Sequence, residues 1–163
     1  MEDRPSQVWK DMPVDKRELA AEAFWLDRES PEVEVQQMEA VATLARRLKF
    51  RTRSIQALPV QRRARHLAQV SDLGDTVATR ALIAYHFSHQ RPLMGAFLDA
   101  LDIEHDNGLI TGEDVAAPDE ARLSKAVAVV KTSFDPSDVD LYLRTLAVLD
   151  SGTWANIPAI LRS

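Results

Sequence analysis

Apolar residues recur along this chain at steps of three and four, broken by short polar turns. Nowhere do they fall into the sustained two-residue alternation that marks a strand. Asp15 and Glu18 have capping-box spacing ahead of Leu19, Ala20, Ala23, Phe24 and Trp25, which predicts a first helix. Ser30-Pro31 predicts a second start, a capping hydroxyl followed by a proline at the first helical position. Val35, Met38, Val41, Ala42, Ala45 and Leu48 form the stripe of that helix. Arg46, Arg47 and Lys49 stand near its C-terminal end, where the helix dipole favours cations.

Leu58-Pro59 restarts a helix bearing Val60, Ala64, Leu67 and Ala68, which runs out near 71–74. Asp75 then caps a segment over 76–90 that is apolar on most sides and carries Arg80 as its one charge, the mark of a buried helix. Pro92 starts or kinks the next, with Leu93, Met94, Phe97, Leu98 and Leu101 as its buried stripe. After a polar turn, 118–134 reads as helix through Leu123, Ala126, Val127 and Val130. Asp135-Pro136 opens another, bearing Val139, Tyr142, Leu143, Leu146 and Leu149. Asp150-Ser151-Gly152 stops it, and a short helix with Trp154, Ile157, Ile160 and Leu161 closes the chain. The pattern predicts an all-α fold: seven or eight helices as antiparallel pairs in a single compact bundle, one domain over 1–163. Residues 1–13 read as a loosely ordered segment, with Trp9 docking on the surface.

Composition narrows the chemistry. At 163 residues, 45% hydrophobic and 28% charged, the chain resembles an ordinary globular domain. It has no cysteine, which excludes disulfides, a thiolate nucleophile, Cys-ligated zinc and iron–sulfur clusters. No apolar run reaches membrane-spanning length and the first residues have no signal-peptide pattern, so the expectation is a soluble cytoplasmic protein without a membrane partner.

Charge is segregated along the chain. Residues 1–39 hold 11 acids and 5 bases, whereas 40–71 hold 8 bases and no acid. Those bases are Arg46, Arg47, Lys49, Arg51, Arg53, Arg62, Arg63 and Arg65; residues 99–163 are again acidic, with 12 acids and 5 bases. Arginine suits bidentate contacts to carboxylate or phosphate. The simplest reading pairs these cations with acids of the same fold. The functional readings are an acidic protein surface, a second copy of the chain, or a phosphate-rich ligand. Nucleic acid fits least, because the overall charge is −5 and Phe50 is the one aromatic residue in the segment available for base stacking.

Residues 102–113 run Asp102, Ile103, Glu104, His105, Asp106, Asn107, Gly108, Leu109, Ile110, Thr111, Gly112, Glu113. This stretch resembles a degenerate EF-hand calcium loop: carboxylates fall at positions one, three and five, an apolar residue at eight and Glu113 at twelve. It departs from that pattern in having Asn107 at position six, where the sharp turn takes glycine, and Pro118 in the exit segment. A polar helix–helix turn rich in Asn and Gly is the plain alternative. His86 and His89 stand three apart on a helix, a spacing that lets one metal ion take both, with His105, Glu104 or Asp106 of the adjoining turn to complete the site. The plain alternative here is a hydrogen-bonded core histidine beside Tyr85 and Phe87. Calcium or zinc is therefore the cofactor these residues would take, and no cofactor is predicted otherwise.

The chain has no nucleophile elbow, P-loop or dinucleotide fingerprint. The reading that results is a helical protein-binding or scaffold module using the Arg-rich 46–65 surface, with exposed Trp9 or Trp154 as an apolar anchor. The alternatives are a metal-dependent or small-ligand-binding protein or enzyme centred on His86, His89 and the 102–113 turn, or phosphate or nucleic-acid binding through the 46–65 basic segment.

Overall fold

The structure, a computed structural model, describes residues 3–162. Ten α-helices and one two-stranded hairpin occur among them, so the chain is all-α. Its contacts cluster into two compact units, Arg4–Tyr85 and the residues from His86 onward joined by Asp3.

In the first unit, α1 (Pro5–Asp11) and α2 (Val14–Leu26) precede α3 (Val33–Leu48), α4 (Thr52–Gln56), α5 (Val60–Ala68) and the greater part of α6 (Asp75–His89). Helix α2 packs against α5. Both helices are rich in buried alanine: Ala20, Ala21 and Ala23 on α2, Ala64 and Ala68 on α5. Small side chains there allow the two backbones to approach closely, and Phe24, Trp25 and Leu67 fill the flanks. Residues 5–11 are not loose. They form α1, and Trp9 is fully buried with its indole N–H donating to the Val70 carbonyl at 2.7 Å. An aromatic residue with a satisfied polar edge is a core element, which is why this segment is ordered. Met1 and Glu2, the start of the segment expected to be loose, lie outside the described residues.

The helix starts differ from those expected. Helix α2 begins one residue before Asp15, behind Pro13, and no side chain caps it; Glu18 turns instead toward Arg65. Ser30-Pro31 does not open α3. Asp27 accepts hydrogen bonds from the Glu29 N–H, the Ser30 N–H and the Ser30 hydroxyl at 3.0, 3.1 and 2.5 Å, so the Ser30 hydroxyl is already engaged. The helix starts two residues past Pro31, behind Glu32 in the left-handed conformation at φ 61°. Arg28 and Gln37 donate to the carbonyls that α2 leaves open at its C-terminus.

The stripe of α3 is also displaced. Its buried residues are Val33, Gln36, Ala40, Val41 and Leu44, whereas Val35 is 65% and Met38 48% exposed. The sequence carries two apolar stripes on this helix, and periodicity alone does not say which one meets the core. Leu19, expected inside, is exposed as well.

The second unit holds the end of α6, then α7 (Arg91–Ala100), β1 (His105–Asp106), β2 (Leu109–Ile110), α8 (Glu120–Lys131), α9 (Pro136–Leu149) and α10 (Ile157–Arg162). Its core joins Leu93, Phe97, Leu98, Leu123, Val130, Tyr142, Trp154 and Ile157. Phe97 meets the Tyr142 ring edge-on, with centroids 5.6 Å apart. Trp154 is 2% exposed, so neither it nor Trp9 is available as a surface anchor. The proline-first start of α9 is as expected, with Asp135 accepting from the Ser137 N–H at 2.8 Å. Asp3 bonds the Arg144 guanidinium through both carboxylate oxygens, at 2.8 and 3.1 Å.

Where a plain turn was expected, residues 105–110 form an antiparallel hairpin, His105 opposite Ile110. Asn107 and Gly108 occupy its loop with φ of 49° and 91°, the positive pair that a two-residue turn demands. Each strand is two residues long, too short to register as alternation in the sequence.

Candidate binding surface

Five exposed cations, Arg46, Arg47, Lys49, Arg51 and Arg53, fall where α3 ends and α4 begins. Lys49 stops α3 by adopting the left-handed conformation, φ 57°. The Phe50 N–H then turns back to the Ala45 carbonyl at 3.0 Å, a Schellman-type ending usually assigned to glycine. The turn sets the Phe50 ring 49% exposed between Lys49 and Arg51. Arg51 precedes α4 in extended conformation, and its carbonyl accepts from Ser54 and Ile55 at 3.0 and 3.3 Å. Ile55 is fully buried and pins α4 down, leaving Arg53 exposed. At the other end of α4 the Gln56 amide reaches the Met38 sulfur at 3.3 Å, so α4 lies alongside the outer face of α3.

Seven of the eight bases are exposed: Arg46, Arg47, Lys49, Arg51, Arg53, Arg62 and Arg65. The expectation that they pair with acids of the same fold is thus corrected. Among the described residues the segment makes one ion pair, Arg65 with Glu18 at 3.7 Å, between side chains that are themselves 67% and 41% exposed. Such a pair contributes little. Arg47 donates to the Gln69 carbonyl at 3.1 Å and ties the end of α3 to the end of α5. Arg63 is the structural member: half-buried, its guanidinium lies 4.9 Å from the Trp25 ring centre. Burial, with the nearby charge of Arg28, pushes its pKa below the ordinary arginine value. Arg46, Lys49, Arg51, Arg53 and Arg62 remain directed at solvent. Val35, Met38 and Phe50 are the exposed apolar groups of the same helix–turn, and sequence reasoning assigned the first two to the core. The signal for Phe50 was an aromatic residue flanked by cations in an acid-free run.

The histidine and carboxylate candidates are dispersed in burial. His86 is 2% exposed, its ring 5.5 Å from that of Tyr142, whereas His89 is exposed. In the hairpin His105 Nδ1 accepts from the Gly108 N–H at 3.0 Å, which leaves Nε2 to donate to Asp99 at 2.7 Å. Both ring nitrogens are therefore engaged, and the tautomer is set by the backbone donor. Asp102, Glu104, Asp106 and Glu113 are exposed. Among the described residues no three histidines or carboxylates converge as a metal-binding group. No described helix is long and apolar enough to cross a membrane. No family model, curated protein or solved structure matches this chain.

Proposed function

We propose that this protein is a binding module whose arginine-rich surface takes an acidic protein surface. The observation that supports this reading is the exposure of seven of eight consecutive bases with a single weak internal ion pair. Like charges in one run with a single weak counter-ion repel one another, so an acidic partner is stabilised there by both attraction and relief of that repulsion. Guanidinium groups add bidentate geometry to carboxylates.

The test is binding of a polyglutamate peptide to the wild type and to the combined Arg46→Ala, Arg51→Ala, Arg53→Ala variant, followed by fluorescence anisotropy at low and high salt. The expected result is binding that weakens as salt rises and falls at least about tenfold in the variant. Binding that ignores salt, or that the variant retains, overturns the reading.

A further inference from the structure

We propose that Asn107 is a latent site of spontaneous deamidation, and that Arg91 and His105 hold it closed by pinning the two ends of its peptide plane. Asn107 and Asn156 are the asparagines of the chain. Deamidation begins when the backbone nitrogen of the following residue attacks the asparagine side-chain carbonyl carbon, so the neighbouring residue decides access. Asn156 precedes the buried, β-branched Ile157, and its amide donates to the Pro118 carbonyl at 2.8 Å. Asn107 is exposed and precedes Gly108, which has no Cβ to shield the attacking nitrogen. Attack forms the bond from the Gly108 nitrogen to Cγ of Asn107 and expels the side-chain nitrogen as ammonia, which carries off the Gly108 amide proton. Water then opens the succinimide at either carbonyl, leaving aspartate, or isoaspartate with the main chain rerouted through the side chain.

The native hairpin opposes that attack by geometry. Asn107 and Gly108 have φ of 49° and 91°, the pair of a type I′ turn, in which ψ of the first residue is about +30°. In the succinimide the Gly108 nitrogen eclipses Cβ, which sets ψ of Asn107 to about −120°, the value of a type II′ turn. The peptide plane between the two residues must therefore turn over before the ring can close. Both ends of that plane are held. The Asn107 carbonyl accepts from the Arg91 guanidinium at 2.9 Å, and the Gly108 N–H donates to His105 Nδ1 at 3.0 Å. Each holder is itself fixed. Arg91 also donates to the Phe87 carbonyl at 2.9 Å and lies over the Phe87 ring, while His105 Nε2 bonds Asp99 at 2.7 Å. Gly108 is buried against Met94 of α7 with no room even for a Cβ, so the plane turns over only if the hairpin lifts from that helix.

The test follows deamidation at Asn107 by peptide-mapping mass spectrometry, in the full chain held at mildly alkaline pH. The native wild type is compared with the same chain unfolded in guanidinium chloride, and with native Arg91→Met, His105→Ala and Val130→Ala. The unfolded chain is expected to deamidate at Asn107 at least about tenfold faster than the native one. Each hairpin variant speeds the native reaction by about threefold or more, as the loss of one hydrogen bond implies, and Arg91→Met carries the test alone should His105→Ala unfold. Val130→Ala thins the core of the same unit without touching the peptide plane, and leaves the rate within about twofold of wild type. A native rate equal to the unfolded one, or an acceleration by Val130→Ala equal to that of the hairpin variants, overturns the proposal. Slower deamidation in His105→Ala also overturns it, because the histidine then serves the attack as a base instead of restraining it. Modification of Asn156 ahead of Asn107 in the unfolded chain removes the site itself.

Discussion

Arg17 lies 8% exposed in α2, with its Nε and one terminal nitrogen buried and unpartnered. Its guanidinium sits 5.9 Å from the Trp9 ring centre, and burial lowers its pKa from the ordinary value. Replacing Arg17 with Met keeps an unbranched stem of good helix propensity and removes the buried donors. An unsatisfied buried donor costs about 1–3 kcal/mol, and the lost cation–π contact is worth about 0.5–1 kcal/mol. The net expectation is a gain of about 1–2 kcal/mol. For a chain of this size, 1 kcal/mol moves the midpoint by about 2–4 °C, so Tm rises by about 2–8 °C in a calorimetric melt. Arg17→Lys is the control: a compact, strongly hydrated ammonium in the same place lowers Tm. A fall in Tm for Arg17→Met refutes the reasoning, because the guanidinium is then contributing more through Trp9 than its unmet hydrogen bonds cost.

Three further outcomes follow from the backbone and the turn between α2 and α3. Lys49→Gly relieves the left-handed strain, offset by the greater freedom of glycine in the unfolded chain, for a net gain of about 0.5–1 kcal/mol in urea denaturation. Gly108→Ala places a Cβ 2.8 Å from that of Met94 at φ 91°, and the root of a side chain cannot swing aside; the same assay should show a loss of about 2–3 kcal/mol. At Asp27 burial pushes the carboxyl upward, but the bonds from Ser30 and Glu29, with the charge of Arg80, more than offset it and hold the pKa below the ordinary aspartate value. A folded-state pKa below the unfolded one gives stability that is complete above the unfolded value of about 3.9 and is lost as pH falls through the folded value. Wild type should therefore exceed Asp27→Asn in stability at neutral pH, with the difference shrinking below about pH 4; a difference that grows on acidification contradicts the assignment.

Much of the helical plan was legible because caps and prolines are local signals. Asp135-Pro136 stands where α9 begins, and Pro92 where α7 does. What misled were residues whose side chains have two uses. Ser30 bonds Asp27 instead of capping α3, and Glu18 turns to Arg65 instead of capping α2. On α3, the Val33/Ala40/Leu44 and Val35/Met38/Ala42 rows have the same period, and tertiary packing on one of them is a fact external to the helix. The hairpin escaped because its evidence is only Asn107-Gly108, with two residues to either side. At the candidate surface, the run of bases was plain from composition, but exposure depends on where the acids of 1–39 come to lie, and one of them, Glu18, comes to pair with it.

The three tryptophans, all at most 2% exposed, divide between the units: Trp9 and Trp25 in the first, Trp154 in the second. In optical terms the chain carries its own pair of unit-specific lamps. Each indole is shielded from water in the native state, so each emission shifts to the red when its own surroundings open. A Trp9→Phe/Trp25→Phe variant emits from the second unit alone, and Trp154→Phe from the first. Melting the two side by side reads directly whether the halves of this chain come apart in one cooperative step or in two.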